Sequence, residues 1–368
     1  MLESAAMRKA TSHRSPPKYS IGVFGWIRAN LFSNVYNTIM TLLAAWAIFV
    51  TLPEFIRWAF IDSVWYAKDS MVCREAAGAC WAVIAEKHRV MLFGTFPFEE
   101  HWRGVLAIAI MIGLAIISAF PRFWSYKLFG AWMVAIALVL ILMLGGIFGL
   151  KPTGTHEWGG LPLTLMLFVG AIVGGLPMAV LLALGRRSKM PAIKAICIGI
   201  IEITRGVPLV TILFMASLMF PLFMPEGVTI DKVLRAQIAM MIFFGAYGAE
   251  IVRGGLQAIP MGQYEAADAI GLTYWQKTRK IILPQALRIV IPAMMNDIIR
   301  AFKNTTFISI VGLFDILGAT ATSLEDPLWV RYAIEAYIFI FILYFCFCYT
   351  MSKYSQWVEK RLSAGRNL

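Results

Sequence analysis

The amino-acid sequence predicts an all-α membrane protein with about eight transmembrane helices, and three observations carry that expectation. Mean hydropathy is +0.72. Charged residues make up only 15% of the 368-residue chain, against about 25% in an ordinary soluble domain. Unbroken apolar runs reach the roughly 18 to 20 residues that a bilayer core of about 30 Å requires, where a soluble core would show amphipathic stripes instead.

Taken in order, residues 1–34 form a polar, basic leader carrying Lys9, Arg14, Lys18 and Arg28. It lacks the early apolar core of a cleavable signal peptide and is expected to stay in the cytoplasm. The expected spans then cover residues 35–60, 104–120, 128–150, 161–184, 195–223, 236–252, 289–311 and 331–351. The first three, residues 35–150, form an N-terminal group with an outer loop at 61–103. The last five, residues 161–352, follow a Gly-rich break and enclose a long inner loop at 253–288. Residues 353–368 form a cytoplasmic tail.

Loop charge agrees with this threading, because cytoplasmic loops carry an excess of Lys and Arg. "GRRSK" and the segment with Arg253, Lys277, Arg279, Lys280 and Arg288 fall inside, while "MPEGVTID" and "ATSLEDPLW" fall outside with acids and no base. Lys232 and Arg235, directly after the first outer segment, run against the trend. The formal net charge of +12 comes from 33 Lys and Arg dispersed between apolar runs, which argues against nucleic-acid binding.

The outer loop contains Cys73 and Cys80 in "CREAAGAC". On the oxidising side of a membrane these two are placed to form a disulfide, with two unrelated thiols as the other reading. Cys197, Cys346 and Cys348 lie in apolar runs and read as small buried hydrophobes. Five Cys and four His show no metal-ligand spacing. Inverted pairs of broken helices, the mark of many secondary transporters, are not visible.

The inner loop at 253–288 is too long for a minimal connection, so it is expected to hold structure. In "TYWQ", Thr273 stands three residues before Gln276, the spacing of a capping box. A helix should begin there and stop near Leu283, because Pro284 lacks an N–H and disfavours helix at the residue before it. A second short helix over "QYEAADAI" should end at Gly271. Each would be too short to stand alone in water. Trp275, Thr278 and Ile282 form a stripe suited to docking in a partner's groove. Packing on the chain's own helices, or lying among lipid headgroups, are the competing readings.

Ionisable groups inside spans cost about 2.5 to 3.5 kcal/mol each at the bilayer centre and need a wet or paired setting. In the seventh span Asn296, Asp297, Arg300, Lys303 and Asn304 share about one third of a helical wheel. They would line a polar substrate path, or else Asp297 pairs with Arg300 while Lys303 snorkels. Glu202 and Arg205 stand three apart beside Gly206 and Pro208, which should kink the fifth span. Glu250 and Arg253 repeat that spacing, with Glu250 also within reach of Arg205 across helices. Both a structural and a gating role fit Glu202, Arg205 and Glu250.

The loop reads Glu265, Ala266 and Ala267, then Gly271, then Ile281, Leu283 and Pro284. This pattern resembles the EAA loop of ABC-importer permeases. "EITRGVPLVTILF", "GAYGAEIVRGGLQAIPMGQYEAA" and "LPQALRIVIPAMMNDIIRAFKNTTF" resemble, in that order, permeases of the polar amino-acid uptake family. The likeness covers roughly residue 161 to the C-terminus. The three extra N-terminal helices and extended outer loop resemble the M subunit of general L-amino-acid importers of Gram-negative bacteria.

The resemblance implies a type I importer-permease core in the bacterial inner membrane, both termini cytoplasmic, with the EAA residues on a coupling helix seated in a separate ATPase. It implies four kinds of partner: a homologous but different second permease subunit, an ATPase dimer that binds ATP and Mg, a periplasmic amino-acid-binding protein, and the lipid bilayer. Lys303, Asn304, Thr305 and Thr306 stand where such permeases typically show Lys-Asp-Thr-Ser, so a charge preference does not carry over. Independently, the chain lacks GxxxxGK[ST] and offers no hydrolytic Ser/His/Asp or Cys/His set. A transport subunit rather than an enzyme is expected. A membrane scaffold that recruits an ATPase without transporting, and an ion-coupled carrier, are the alternatives.

Overall fold

The computed structural model describes residues 22–67 and 69–364. Lys9, Arg14 and Lys18 of the leader and residues 365–368 of the tail lie outside the described residues. Seven helical segments among these residues are long and apolar enough to cross a membrane, and an eighth results if one sharply bent pair is a single span. The chain divides into two compact units, one through Cys80 and one from Trp81 onward.

In the first unit a short helix, α1 (Gly22–Asn30), precedes the long apolar α2 (Val35–Ile56). Asn34 caps α2 by accepting a hydrogen bond from the Asn37 N–H at 2.8 Å. After a π turn at Arg57–Ile61 comes α3 (Ser70–Glu75), capped by Asp69. Cys73 and Cys80 are joined in a disulfide.

The second unit opens with α4 (Ala82–Phe93), then α5 (His101–Ala119), α6 (Tyr126–Leu144) and α7 (Gly160–Arg186). It continues through α8 (Pro191–Gly206), α9 (Leu209–Phe214) and α10 (Lys232–Gln257). The closest pair is α7 with α10. Small buried residues, Ala171, Ala179 and Ala183 on α7 and Ala236, Ala246 and Ala249 on α10, let these two backbones approach, which is how helices associate where hydrophobicity alone gives no drive. Spans two and three, α5 and α6, pack on this same unit.

The expected fifth span is not one rod. α8 and α9 with its continuation to Phe223 meet at 108°. Val207 is extended there (φ −113°, ψ 136°), as a residue before proline prefers, and Pro208 has no N–H to continue the ladder. The kink expected from Gly206 and Pro208 is therefore present as a full break.

The loop at 253–288 corrects another expectation. Helix α11 (Met261–Ala269) ends as foreseen, but the following helix does not stop near Leu283. α12 (Tyr274–Lys277) runs through a π turn at Thr278–Ile282 directly into α13 (Leu283–Asn304). In the wider turn the Leu283 N–H reaches back to the Thr278 carbonyl. That extra residue takes up the misfit a proline causes in a regular α-turn. The Gln285 side chain donates to the Ile281 carbonyl at 2.9 Å, satisfying an acceptor next to the lesion.

The chain closes with α14 (Ile316–Ser323) and α15 (Ala333–Ala364). A two-residue strand, β1 (Phe314–Asp315), pairs in parallel with Gly159 and Gly160. Gly160 has φ +64°, and a Cβ there would stand 2.1 Å from the Leu92 carbonyl oxygen, so only glycine lets α4, α7 and β1 converge. α4 also packs on α14, and Lys87 pairs with Asp326 at 2.7 Å.

Candidate coupling surface and translocation path

The segment 261–284 is built around one turn. The Gly271 N–H donates to Asp268 and the Leu272 N–H to Ala267, with Gly271 at φ +75°. This is a Schellman closure, and its left-handed position selects glycine. Thr273 then caps α12: its hydroxyl accepts from the Gln276 N–H, and the Gln276 side chain accepts from the Thr273 N–H at 3.0 Å. Lys277 and Asp268, 2.5 Å apart, bridge the two helices.

This scaffold divides the EAA residues between two environments. Ala267 is buried, and Ile281 and Leu283 pack against the core, while Glu265, Ala266, Gly271 and Pro284 are exposed. The docking stripe expected at Trp275, Thr278 and Ile282 is split as well. Thr278 and Ile282 are buried in the chain's own core, and Trp275 is 67% exposed. The apolar surface left open is instead Ile270, Tyr274 and Trp275, gathered around the Gly271 turn.

Behind this surface lies an ionic cluster at the ends of α7, α8 and α10. Glu250 receives Arg253 at 2.8 Å, Arg186 at 2.9 Å and Arg205 at 3.5 Å. Arg186 also binds Glu202 at 2.7 Å. The reach from Glu250 to Arg205 across helices is thus present, and Glu202 takes Arg186 as its partner. Arg186 was not singled out from the sequence, where "GRRSK" carries only a signal of loop charge. Its neighbour Arg187 donates to the Tyr264 hydroxyl at 3.1 Å, which in turn donates to the Leu256 carbonyl at 3.0 Å. Through Tyr264 the 261–284 segment touches the same helix ends that hold the cluster.

The five polar residues of α13 occupy different settings. Asp297 is buried and accepts from Arg300, which lies 4.0 Å over the Tyr247 ring in a cation–π arrangement. Arg300 and Asn304 line a cavity of about 10 Å³ with Ala171, Leu209, Met240 and Phe243, room for about one water. Asn296 and Lys303 are exposed. In this conformation no passage for a larger solute opens at that cavity.

Lys232 and Arg235, the two bases on the wrong side of the charge rule, bond to the protein itself. Arg235 donates to the Ile230, Ala216 and Ser217 carbonyls, and Lys232 approaches the Gly312 carbonyl at 3.4 Å. Arg235 thereby satisfies carbonyls in the π turn that follows α9, while Lys232 reaches the turn after α13.

A bundle of long apolar helices with one broken span and an exposed two-helix turn is the fold of a multi-pass integral membrane protein. The family described as "Binding-protein-dependent transport system inner membrane component" matches residues 175–364. The chain belongs to the amino-acid ABC transporter permeases. It is 44% identical over 347 residues, 93% of each chain, to the inner membrane amino-acid ABC transporter permease protein YhdY of Escherichia coli K12. Identity is 36% to the glutamate/glutamine/aspartate/asparagine transport system permease protein BztC of Rhodobacter capsulatus, covering 95% of this chain and 96% of that one. A solved amino acid ABC transporter described as "with histidines" shares 32% identity across 55% of this chain and 92% of its own, with a TM-score of 0.49.

Proposed function

We propose that this permease forms the translocation path of an ATP-driven amino-acid importer and is worked through the turn at Gly271. The observation that carries this reading is the split of the 261–284 segment. One side, Ala267, Thr278 and Ile282, is locked into the bundle core, and the other presents Ile270, Tyr274 and Trp275. A short element rigidly tied to its own helices and open on its far side transmits force from a partner that grips it. The partner is a pair of ATPase subunits that bind ATP and Mg. A periplasmic amino-acid-binding protein delivers substrate, and a homologous second permease chain completes the path. Both termini lie in the cytoplasm, as the basic inner loops favour.

In this reading residues 161–352 act as the transport core and 35–150 as an accessory group. Glu202, Arg205 and Glu250, with Arg186, form a cluster that re-pairs as the inner gate moves, because one carboxylate shared among three arginines has alternative partners close by. Asn296, Asp297, Arg300, Lys303 and Asn304 meet substrate only when the bundle opens.

Reconstitution in vesicles with the ATPase and binding protein tests the reading. Replacing Tyr274 and Trp275 together by Ala should lower ATP-driven accumulation of labelled amino acid at least about tenfold, the scale of losing an aromatic anchor. Thermal stability should be unchanged. Unchanged accumulation overturns the coupling role. ATP turnover without movement of label would point to a scaffold, and uptake that needs an ion gradient but no ATP to a carrier.

A further inference from the structure

We propose that the second unit binds one anionic phospholipid at its inner end, with an acyl chain in a groove between the loop before α6, α13 and α15. The groove has a volume of about 160 Å³ and is lined by Trp124, Ile291, Met294, Met295, Tyr354 and Val358. The two polar atoms of this wall are already committed. The Trp124 indole donates to the Ser118 carbonyl at 2.8 Å and the Tyr354 hydroxyl to the Ala119 carbonyl at 3.0 Å. What remains is hydrocarbon and aromatic surface, and an apolar cavity of roughly this size stays dry and accepts hydrocarbon.

Each lining segment also places an arginine toward the same end of the bundle. Arg122 stands two residues before Trp124, Arg288 three before Ile291, and Arg361 three after Val358. On a helix three residues share a face and differ by about 4.5 Å in height. The Tyr354 to Ala119 bond joins α15 to the end of α5 here, and α13 lines the same groove. The three arginines are exposed, and none is in an ion pair with a carboxylate among the described residues. Arg361 rests over the Trp357 ring, 5.4 Å from its centroid.

An apolar groove whose three lining segments each carry an exposed, unpaired arginine within three residues of the wall is complementary to a lipid with a negative headgroup. Basic pockets between helices on the cytoplasmic side recognise such lipids. A neutral lipid would leave the arginines without a partner, and a soluble anion would leave the slot empty. The inference rests on the orientation above, which puts this end at the cytoplasmic leaflet, and does not depend on the substrate.

The test uses the full-length chain in vesicles doped with brominated phosphatidylglycerol or brominated phosphatidylcholine, which quench nearby tryptophan. The Trp124 signal is the difference between the wild type and Trp124→Phe. Quenching by the glycerol lipid should set in at several-fold lower mole fraction than by the choline lipid. Arg122→Gln and Arg288→Gln should each reduce that preference about fivefold. Equal quenching by both lipids, a preference that survives the double variant, or no quenching of Trp124 would overturn the proposal. Both substitutions are at exposed positions, so folding is not at issue. If transport failed in the reconstituted assay while the lipid preference held, only the transport reading would fall.

Discussion

At the end of the bundle that holds α4 and α14, polar groups are sunk among helices: Arg103, Thr164, Asp315 and Thr320 are each 0% exposed. Arg103 donates to the Leu142 carbonyl at 2.5 Å, the Lys151 carbonyl at 3.0 Å and the Met143 carbonyl at 3.2 Å, tying down the C-terminus of α6. Asp315 caps α14 through the Gly318 N–H at 2.9 Å, and the Ile316 N–H donates to Thr164 at 3.0 Å. At the opposite end, around α11 and α12, Met261, Ile270 and Trp275 are exposed and the ionic cluster shares one carboxylate among three arginines. The first end is satisfied by the chain alone. The second has local order without coverage, as the proposed docking of another subunit requires.

The sharpest way to break this contrast is Arg103→Leu. It strips several buried carbonyls at once of their donor, at a cost of about 3 to 5 kcal/mol. Thermal unfolding of the purified chain should show a marked loss, and an unchanged midpoint would mean that this end is not held by its buried donors. Next in size is Glu250→Gln, which leaves Arg205 and Arg253 without a carboxylate while Arg186 keeps only Glu202, for a loss of about 2 kcal/mol in stability. ATP turnover should become less dependent on substrate in the reconstituted system. Retained coupling would reduce the cluster to a structural brace.

The smallest effect concerns the Lys87–Asp326 pair. Lys87 holds the Asp326 carboxyl below its ordinary value of 3.8, so the pair's contribution is present above that value and is lost as pH falls through the lower, folded one. Acid unfolding followed below pH 4 should begin at higher pH in Lys87→Met than in the wild type. Identical acid profiles would show that the pair does not hold α4 against the loop after α14.

Several features were legible in the residues. The capping box at Thr273 and Gln276, the glycine turn and the break at Pro208 all depend on contacts within a few positions of one chain segment. The run-on from α12 into α13 was not. Pro284 reads as a stop in a regular α-helix, and nothing in the local pattern announces a π turn that absorbs it. The docking stripe at Trp275, Thr278 and Ile282 failed for a different reason. Thr278 and Ile282 have the right spacing for a groove, but spacing does not say whether the groove belongs to a partner or to the chain itself.

By itself the sequence determined the membrane class, the count of apolar segments, the caps and the breaks, because hydropathy and hydrogen bonding along one helix are local quantities. Only the tertiary structure decided that Arg186 joins Arg205 and Arg253 on Glu250, that Arg103 clamps the end of α6, that Lys232 and Arg235 serve carbonyls, and which half of the 261–284 segment stays open. Those outcomes depend on which helices become neighbours at about 8 to 10 Å and on the direction each side chain takes there. No spacing along the chain encodes that choice.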